Sequence, residues 1–425
     1  MHESASALGR RALVCALAWS LAGCASTSDP PVEAAAPKVA PLPGGLPAEP
    51  RGVNKELPPA SPHWVLYSVM ANGFEVGRQV LFDANAGEIL TLVTTGMFPS
   101  LQASRDGREL IVADTFNHGP SRLRKDYVSF YDARDYSLSE SIELPGRQRA
   151  LMIPRAKSAL IADGRMLVVF NWSPRSSIAV IDTQERSILS EVETPGCVLV
   201  YPTGASGISM LCRDGSLLTL HLDSAGQVAR RFMSEPFFDP DVDPVIENAP
   251  SIAGTWYFPS YGGDVYPVDL SGDEPIFHEA WSLVDDYEEP GGTGRWLPGS
   301  YQLAAAHAQR GELFFLMHPV SMSEGKGDHV FPGTEVWVYD VASRKRSRRH
   351  VLENMAAALY VTPDDEPLMV LTGLGPELYQ QYGDGSPSIV TIDVYDAVTG
   401  EHQRAFKDTG FAISFETPPG IGGSR

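Results

Sequence analysis

The sequence is short of basic side chains, of cysteine and of any recognisable catalyst. It carries 33 Lys and Arg against 53 Asp and Glu, for a formal charge of −20 and a pI near 4.9. A nucleic-acid partner is excluded on that balance, because phosphate binding needs clustered Lys and Arg. An acidic surface stays soluble, avoids anionic lipid, and can steer a basic partner or a cationic substrate. No apolar run in the body of the chain approaches the roughly 20 residues that a bilayer-spanning helix needs. Nucleophile elbows, Walker loops, HExxH helices and paired CxxC motifs are all absent. His307, His318 and His329 have no metal-ligand spacing. Asp239, Asp241 and Asp243 in FDPDVDP imitate the start of a calcium loop. They lack the glycine at the sixth position and the acid at the twelfth, where Pro250 sits, so a solvated loop is expected. The residues alone point to a scaffold with no catalytic residue and no metal.

What is present begins with an export signal. Arg10 and Arg11 precede a short apolar run, Ala12 to Leu21, which leads into Leu21-Ala22-Gly23-Cys24. That tetrapeptide matches a bacterial lipobox. Residues 1–23 are therefore expected to be cleaved and Cys24 to be acylated, leaving a lipid-anchored protein in the periplasm; the alternative is an ordinary secretory signal. Ala25 after the cysteine favours the outer membrane. Residues 24–62 are Pro- and Ala-rich, with ten prolines and almost no large apolar residue, and read as a disordered tether. The four cysteines then divide. Cys15 leaves with the signal and Cys24 takes lipid, so Cys197 and Cys212 remain. In an oxidising compartment these two pair if they can approach; otherwise they are separate buried thiols.

From residue 63 to 425 one pattern recurs: a β-branched or aromatic run, an aspartate, a polar turn, then another strand. The copies are VLFDANAGEIL at Asp83, SFYDARDYSL at Asp132, AVIDTQERSIL at Asp182, LHLDSAGQV at Asp223, PVDLSGDEP at Asp269, WVYDVASRKR at Asp340 and DVYDAVTGEHQ at Asp396. Repeats of about 40 to 50 residues made of short strands mark propeller blades, and the absence of a 3.6-residue period argues against a helical solenoid. Seven copies predict an all-β, seven-bladed β-propeller. The longest gap, from Asp269 to Asp340, holds two insertions, at 285–294 and 321–333. An aspartate at a strand end accepts backbone N–H groups of the next turn, so the seven acids are expected to be structural.

Several segments resemble the heavy subunit of quinoprotein amine dehydrogenases, the methylamine and aromatic amine dehydrogenases. They are RKDYVSFYDARDYSLSESIELPG (124–146), NWSPRSSIAVID (171–182), PGCVLVYPTGASGISMLCRDGSLLTL (195–220), YFPSYGGDVYPVDLSG (257–272), RWLPGSYQLAAAHAQRGELFFLMHP (295–319) and GTEVWVYDVASRKR (333–346). CRDGSL after an upstream PxC is the most specific, and it places Cys197 and Cys212 at the family's heavy-chain disulfide. The resemblance implies a heterotetramer of two heavy and two light subunits. Each light subunit carries tryptophan tryptophylquinone, oxidises primary amines to aldehyde and ammonia, and passes electrons to a blue copper protein or a cytochrome. The heavy subunit shields the quinone and lines the substrate channel, partly through a phenylalanine in a Gly-Phe-Leu-Pro turn. Here the matching turn is Gly96-Met97-Phe98-Pro99. Met97 stands at the phenylalanine position and Phe98 at the leucine position, so an altered lining is expected, the alternative being ordinary loop packing. The competing reading of the whole chain is an envelope-anchored propeller lipoprotein that acts as a binding scaffold without dehydrogenase activity.

Overall fold

The computed structural model describes residues 56–70, 77–118, 123–145, 148–149, 156–284, 294–323, 328–375, 390–407 and 409–421. The export signal, Cys24 and most of the tether lie outside the described residues, as does the acidic stretch 285–290.

Strands dominate, and they pair antiparallel into six sheets arranged as a β-propeller. Take the sheet built from Met97–Ala103, Glu109–His118, Leu123–Asp132 and Leu138–Leu144. Each strand pairs with the next in sequence, so the chain moves outward from the first strand and then steps to the neighbouring sheet. First strands meet one another: Met97–Ala103 touches Ser158–Ile161, which touches Cys197–Thr203. The propeller is closed by Ala412–Glu416, which pairs with Trp64–Met70 and so joins the two ends of the body in one sheet. Gln302, fully buried, ties this closure together. Its Nε2 donates to the carbonyls of Leu359 (3.0 Å) and Phe415 (3.2 Å), and its Oε1 accepts the Phe415 N–H (2.7 Å).

Burial follows strand position. Met166–Ser173, Ser177–Asp182, Gly207–Cys212 and Leu217–Leu222 are buried almost throughout, because neighbouring sheets cover both faces. Ser187–Glu193 and Val228–Met233 are outermost and largely exposed or half-buried.

The expectation of seven separate blades needs correction. Among the described residues, five sheets have four or five strands and the sixth has eight, so single blades number five and not seven. The repeats ending at Asp340 and Asp396 share that eight-stranded sheet, because Lys345–Val361 runs for 17 residues and pairs on one side with Gly333–Asp340 and on the other with Leu368–Leu374. The physical cause lies in the sequence. Connections such as Gly96 and Pro195-Gly196 break the ladder elsewhere, whereas 345–361 contains neither glycine nor proline. The insertion at 321–333 holds part of a helical turn, Val320–Ser323, and a 3-10 turn, Asp328–Val330.

All seven repeat aspartates stand at strand ends and accept backbone N–H groups. Asp83 Oδ1 takes Asn85 and Ala86 (both 2.9 Å), Asp182 takes Gln184 and Glu185 (both 2.9 Å), and Asp223 takes Ala225 and Gln227 (both 2.9 Å). Asp396 takes Val398 and Thr399, while Asp132, Asp269 and Asp340 take Arg134, Ser271 and Ser343. These turns share one end of the propeller. Because alternate strands run antiparallel, the first strand of each sheet starts at the opposite end.

Candidate functional site

The opposite end is where Gly96-Met97-Phe98-Pro99 lies. Met97 begins the first strand of its sheet and pairs with Thr115, but Ser100 pairs with Ala113, so the strand carries an extra residue between them. Such a bulge re-aims the side chains on it. Pro99 suits it, having no N–H to offer the ladder. Phe98 adopts φ of 45°, a left-handed conformation that costs a non-glycine residue about 1–2 kcal/mol.

Three side chains from outside the strand hold this turn. The Gly96 N–H donates to Asp114 Oδ2 at 2.7 Å. Asn117 Nδ2 contacts Met97 Sδ at 3.7 Å. Lys157, 1% exposed, reaches across from the neighbouring sheet and donates from Nζ to the Phe98 carbonyl at 2.7 Å. Asp114 is wholly buried, and beside it Thr115 Oγ1 donates to Asp126, a carboxylate 2% exposed that also pairs with Arg124 at 3.7 Å. A Cβ at Gly96 would run into the Thr115 carbonyl, so only glycine fits there. Met97 and Phe98 themselves are half-buried.

Cys197 and Cys212 form a disulfide. They face each other directly in the ladder between Cys197–Thr203 and Gly207–Cys212, one at the start of a first strand and the other at the end of a second. The bond therefore sits at the same end as the Met97 turn. The Arg213 N–H closes the neighbouring loop onto the Gly196 carbonyl at 2.9 Å.

The other sequence candidates are accounted for structurally. Asp239 Oδ1 accepts the Asp241 N–H at 3.0 Å within the FDPDVDP loop, and Asp243 Oδ1 accepts the Gly262 N–H at 2.6 Å, tying that loop to the turn before Asp264. Asp243 also lines an open cleft of about 460 Å³ with Tyr261, Asp264 and Arg295. His307 Nε2 bonds to the Asp364 carbonyl at 2.8 Å, His318 is buried, and His329 stacks on Tyr261 with centroids 4.4 Å apart. Sequence reasoning missed Lys157, Asp114 and Asn117, since a single polar residue beside a strand gives no local signal of burial.

Comparison with known proteins places the chain. The family model described as methylamine dehydrogenase heavy chain matches residues 66–417. The chain is similar to the methylamine dehydrogenase heavy chain of Methylophilus methylotrophus, 25% identical over 365 residues, 84% of each protein. It is 24% identical over 335 residues to that of Methylobacillus flagellatus, covering 78% of each, and 26% identical over 340 residues to that of Paracoccus versutus, covering 79% of this chain and 74% of the relative. Among solved structures, a putative 6-phosphogluconolactonase from Bacteroides fragilis superposes with a TM-score of 0.52 at 12% identity, over 83% of this chain and 98% of the other, a likeness of fold alone. With 352 consecutive positions matched, on the count from 66 to 417, the chain belongs to the methylamine dehydrogenase heavy chain family.

Proposed function

We propose that this protein is the non-catalytic heavy subunit of an amine dehydrogenase, and that it receives its light subunit at the end carrying Met97, Phe98 and the Cys197–Cys212 bond. The observation that carries the reading is the family match across nearly the whole propeller. The same end supports it chemically. Trp172 (57% exposed), at the end of its strand, and Val242 (80%), in a connecting loop, both lie at that end and offer apolar surface to a protein partner.

The light subunit would carry tryptophan tryptophylquinone, which supplies the oxidation of a primary amine to aldehyde and ammonia. The indole pair that this chain itself brings into contact is closed to substrate. Its contacting tryptophans, Trp296 and Trp337, lie 5.3 Å apart and are 6% exposed and fully buried. Trp337 Nε1 donates to Glu335 Oε2 at 2.6 Å, and Glu335 also binds Arg349, whose guanidinium covers both rings at 5.3 Å. Substrate cannot reach indoles sealed in that way. The chain's own work is to exclude water and to line the amine's approach with Met97 and Phe98. Two heavy and two light subunits would assemble, and electrons would leave to a blue copper protein or a cytochrome. Acylated Cys24 would hold the complex on the periplasmic side of the membrane, the outer one being favoured.

The reading is tested by assembly, by gene deletion and by lipid labelling. Purified alone, the protein should be colourless and inactive. Co-expressed with a small, cysteine-rich exported partner and its maturation factors, it should yield a coloured complex that reduces a dye with a primary amine and is blocked by a hydrazine. In that complex Met97→Ala and Phe98→Ala should re-rank amines by size, by about 1–3 kcal/mol per methylene. Isolation from native envelopes with no such partner, and with amine oxidation untouched by deletion of the gene, would favour the scaffold alternative. A fatty-acid analogue should label the wild type and not Cys24→Ser; equal labelling would remove the lipid anchor.

A further inference from the structure

The turn at Met97–Phe98 is held by an unusual residue. A lysine that is 1% exposed is costly to bury, and its Nζ is directed at one backbone carbonyl in the adjacent sheet. That carbonyl belongs to Phe98, whose φ of 45° and place in the bulge take it out of the regular ladder. A carbonyl turned out of its ladder needs another donor, and here one comes from outside its own sheet. Gly96 and Met97 are held independently by Asp114 and Asn117, from the neighbouring strand Glu109–His118. The turn is therefore clamped from two sheets: across the gap Lys157 donates to the Phe98 carbonyl, and beside it Ser100 and Ser158 share a hydroxyl hydrogen bond of 2.6 Å. Strained backbone held in place by surrounding groups is a mark of preset functional geometry.

We propose that Lys157 is a positioning residue, which fixes the direction in which Met97 and Phe98 project and so sets the width of the amine's approach. Its action on the turn rests on the contacts above; its effect on amine choice rests on the heavy-subunit reading. Lys157 touches no substrate in this account. It works through the Phe98 carbonyl, and the sheet-to-sheet spacing at that point becomes a determinant of specificity.

The test separates the two layers. The protein purified alone is labelled with 13C-methyl methionine, and the Met97 resonance is assigned by its loss in Met97→Leu. Lys157→Met adds one signal from the new methionine, identified by comparison with Lys157→Met/Met97→Leu, and should shift and broaden the Met97 signal while the remaining methionine signals stay in place; Lys157→Arg should give a smaller change. An unchanged Met97 signal in Lys157→Met would overturn the positioning role. If Lys157→Met does not fold, the double variant Lys157→Met/Phe98→Gly supplies the background, since glycine takes φ of 45° without steric cost. The comparison is then with Phe98→Gly alone, and identical Met97 signals would again overturn the role. In the assembled complex, Lys157→Met should change the ratio of kcat/KM for a long and a short primary amine by about tenfold, chiefly through KM. A shifted methionine signal with an unchanged ratio would overturn the link to specificity. Failure to find any light subunit would sink the heavy-subunit reading, and the spectrum would still decide the role of Lys157 in the turn.

Discussion

The two ends of the propeller are built on different principles. At one end, seven aspartates close seven turns by the same device, a carboxylate oxygen accepting N–H groups two to four residues ahead. At the other end the described connections differ: a bulge with a left-handed phenylalanine, a disulfide at a strand start, a helical turn, and a strand that runs from one repeat into the next without a break. Repetition at the first end reflects a common task, turning the chain between the third and fourth strands of each repeat. Irregularity at the second end is what a binding surface requires, since a partner reads differences and not repeats. A propeller can vary one end freely because its core is set by strand pairing and burial between sheets.

The same contrast decides what could be read from the sequence. The aspartate turns were legible because their mechanism is local: an acid, a polar turn and a following strand lie within ten residues. The Cys197–Cys212 pair was legible through its CRDGSL context, where the family resemblance implies a bond; the expectation of export alone left two separate thiols open. Blade separation was not legible at Lys345–Val361, because repeat counting assumes a break that this stretch, without glycine or proline, never makes. Lys157 was invisible for another reason. Its burial depends on a contact with Phe98 59 residues away, across two sheets.

The contrast can be broken by mutation, and the largest effect is expected at the irregular end. Replacing Cys197 or Cys212 by Ser should cost roughly 2–5 kcal/mol in denaturant unfolding, because the bond closes a loop of 15 residues. A change near zero would show that the bond does not constrain the unfolded chain. At the regular end, Asp182→Ala should cost only about 1 kcal/mol, from the lost N–H acceptors, with its ion pair to the half-exposed Arg165 adding little. Amine preference in the complex should not move. A changed preference would mean that the two ends are coupled.

The smallest effect is on pH dependence. Burial pushes the Asp182 carboxyl up, but the Glu185 and Gln184 N–H groups and Arg165 outweigh it and hold it below the ordinary value of 3.8. The Ser343 hydroxyl and N–H do the same for Asp340. A depressed carboxylate contributes stability that is present above its unfolded value and lost as pH falls through its folded value. Unfolding midpoints should therefore hold steady down to about pH 4 from these groups and decline below it, less steeply in Asp182→Asn. An equal slope in that variant would remove Asp182 from the set.

The central claim, that the irregular end is the docking end, is tested most directly by amide hydrogen exchange on the protein alone and in the assembled complex. Complex formation should slow exchange around Gly96–Leu101, at Trp172 and beside Cys197, and leave the turns after Asp182 and Asp340 unchanged. Protection gained at those aspartate turns, with none around Met97, would contradict the account.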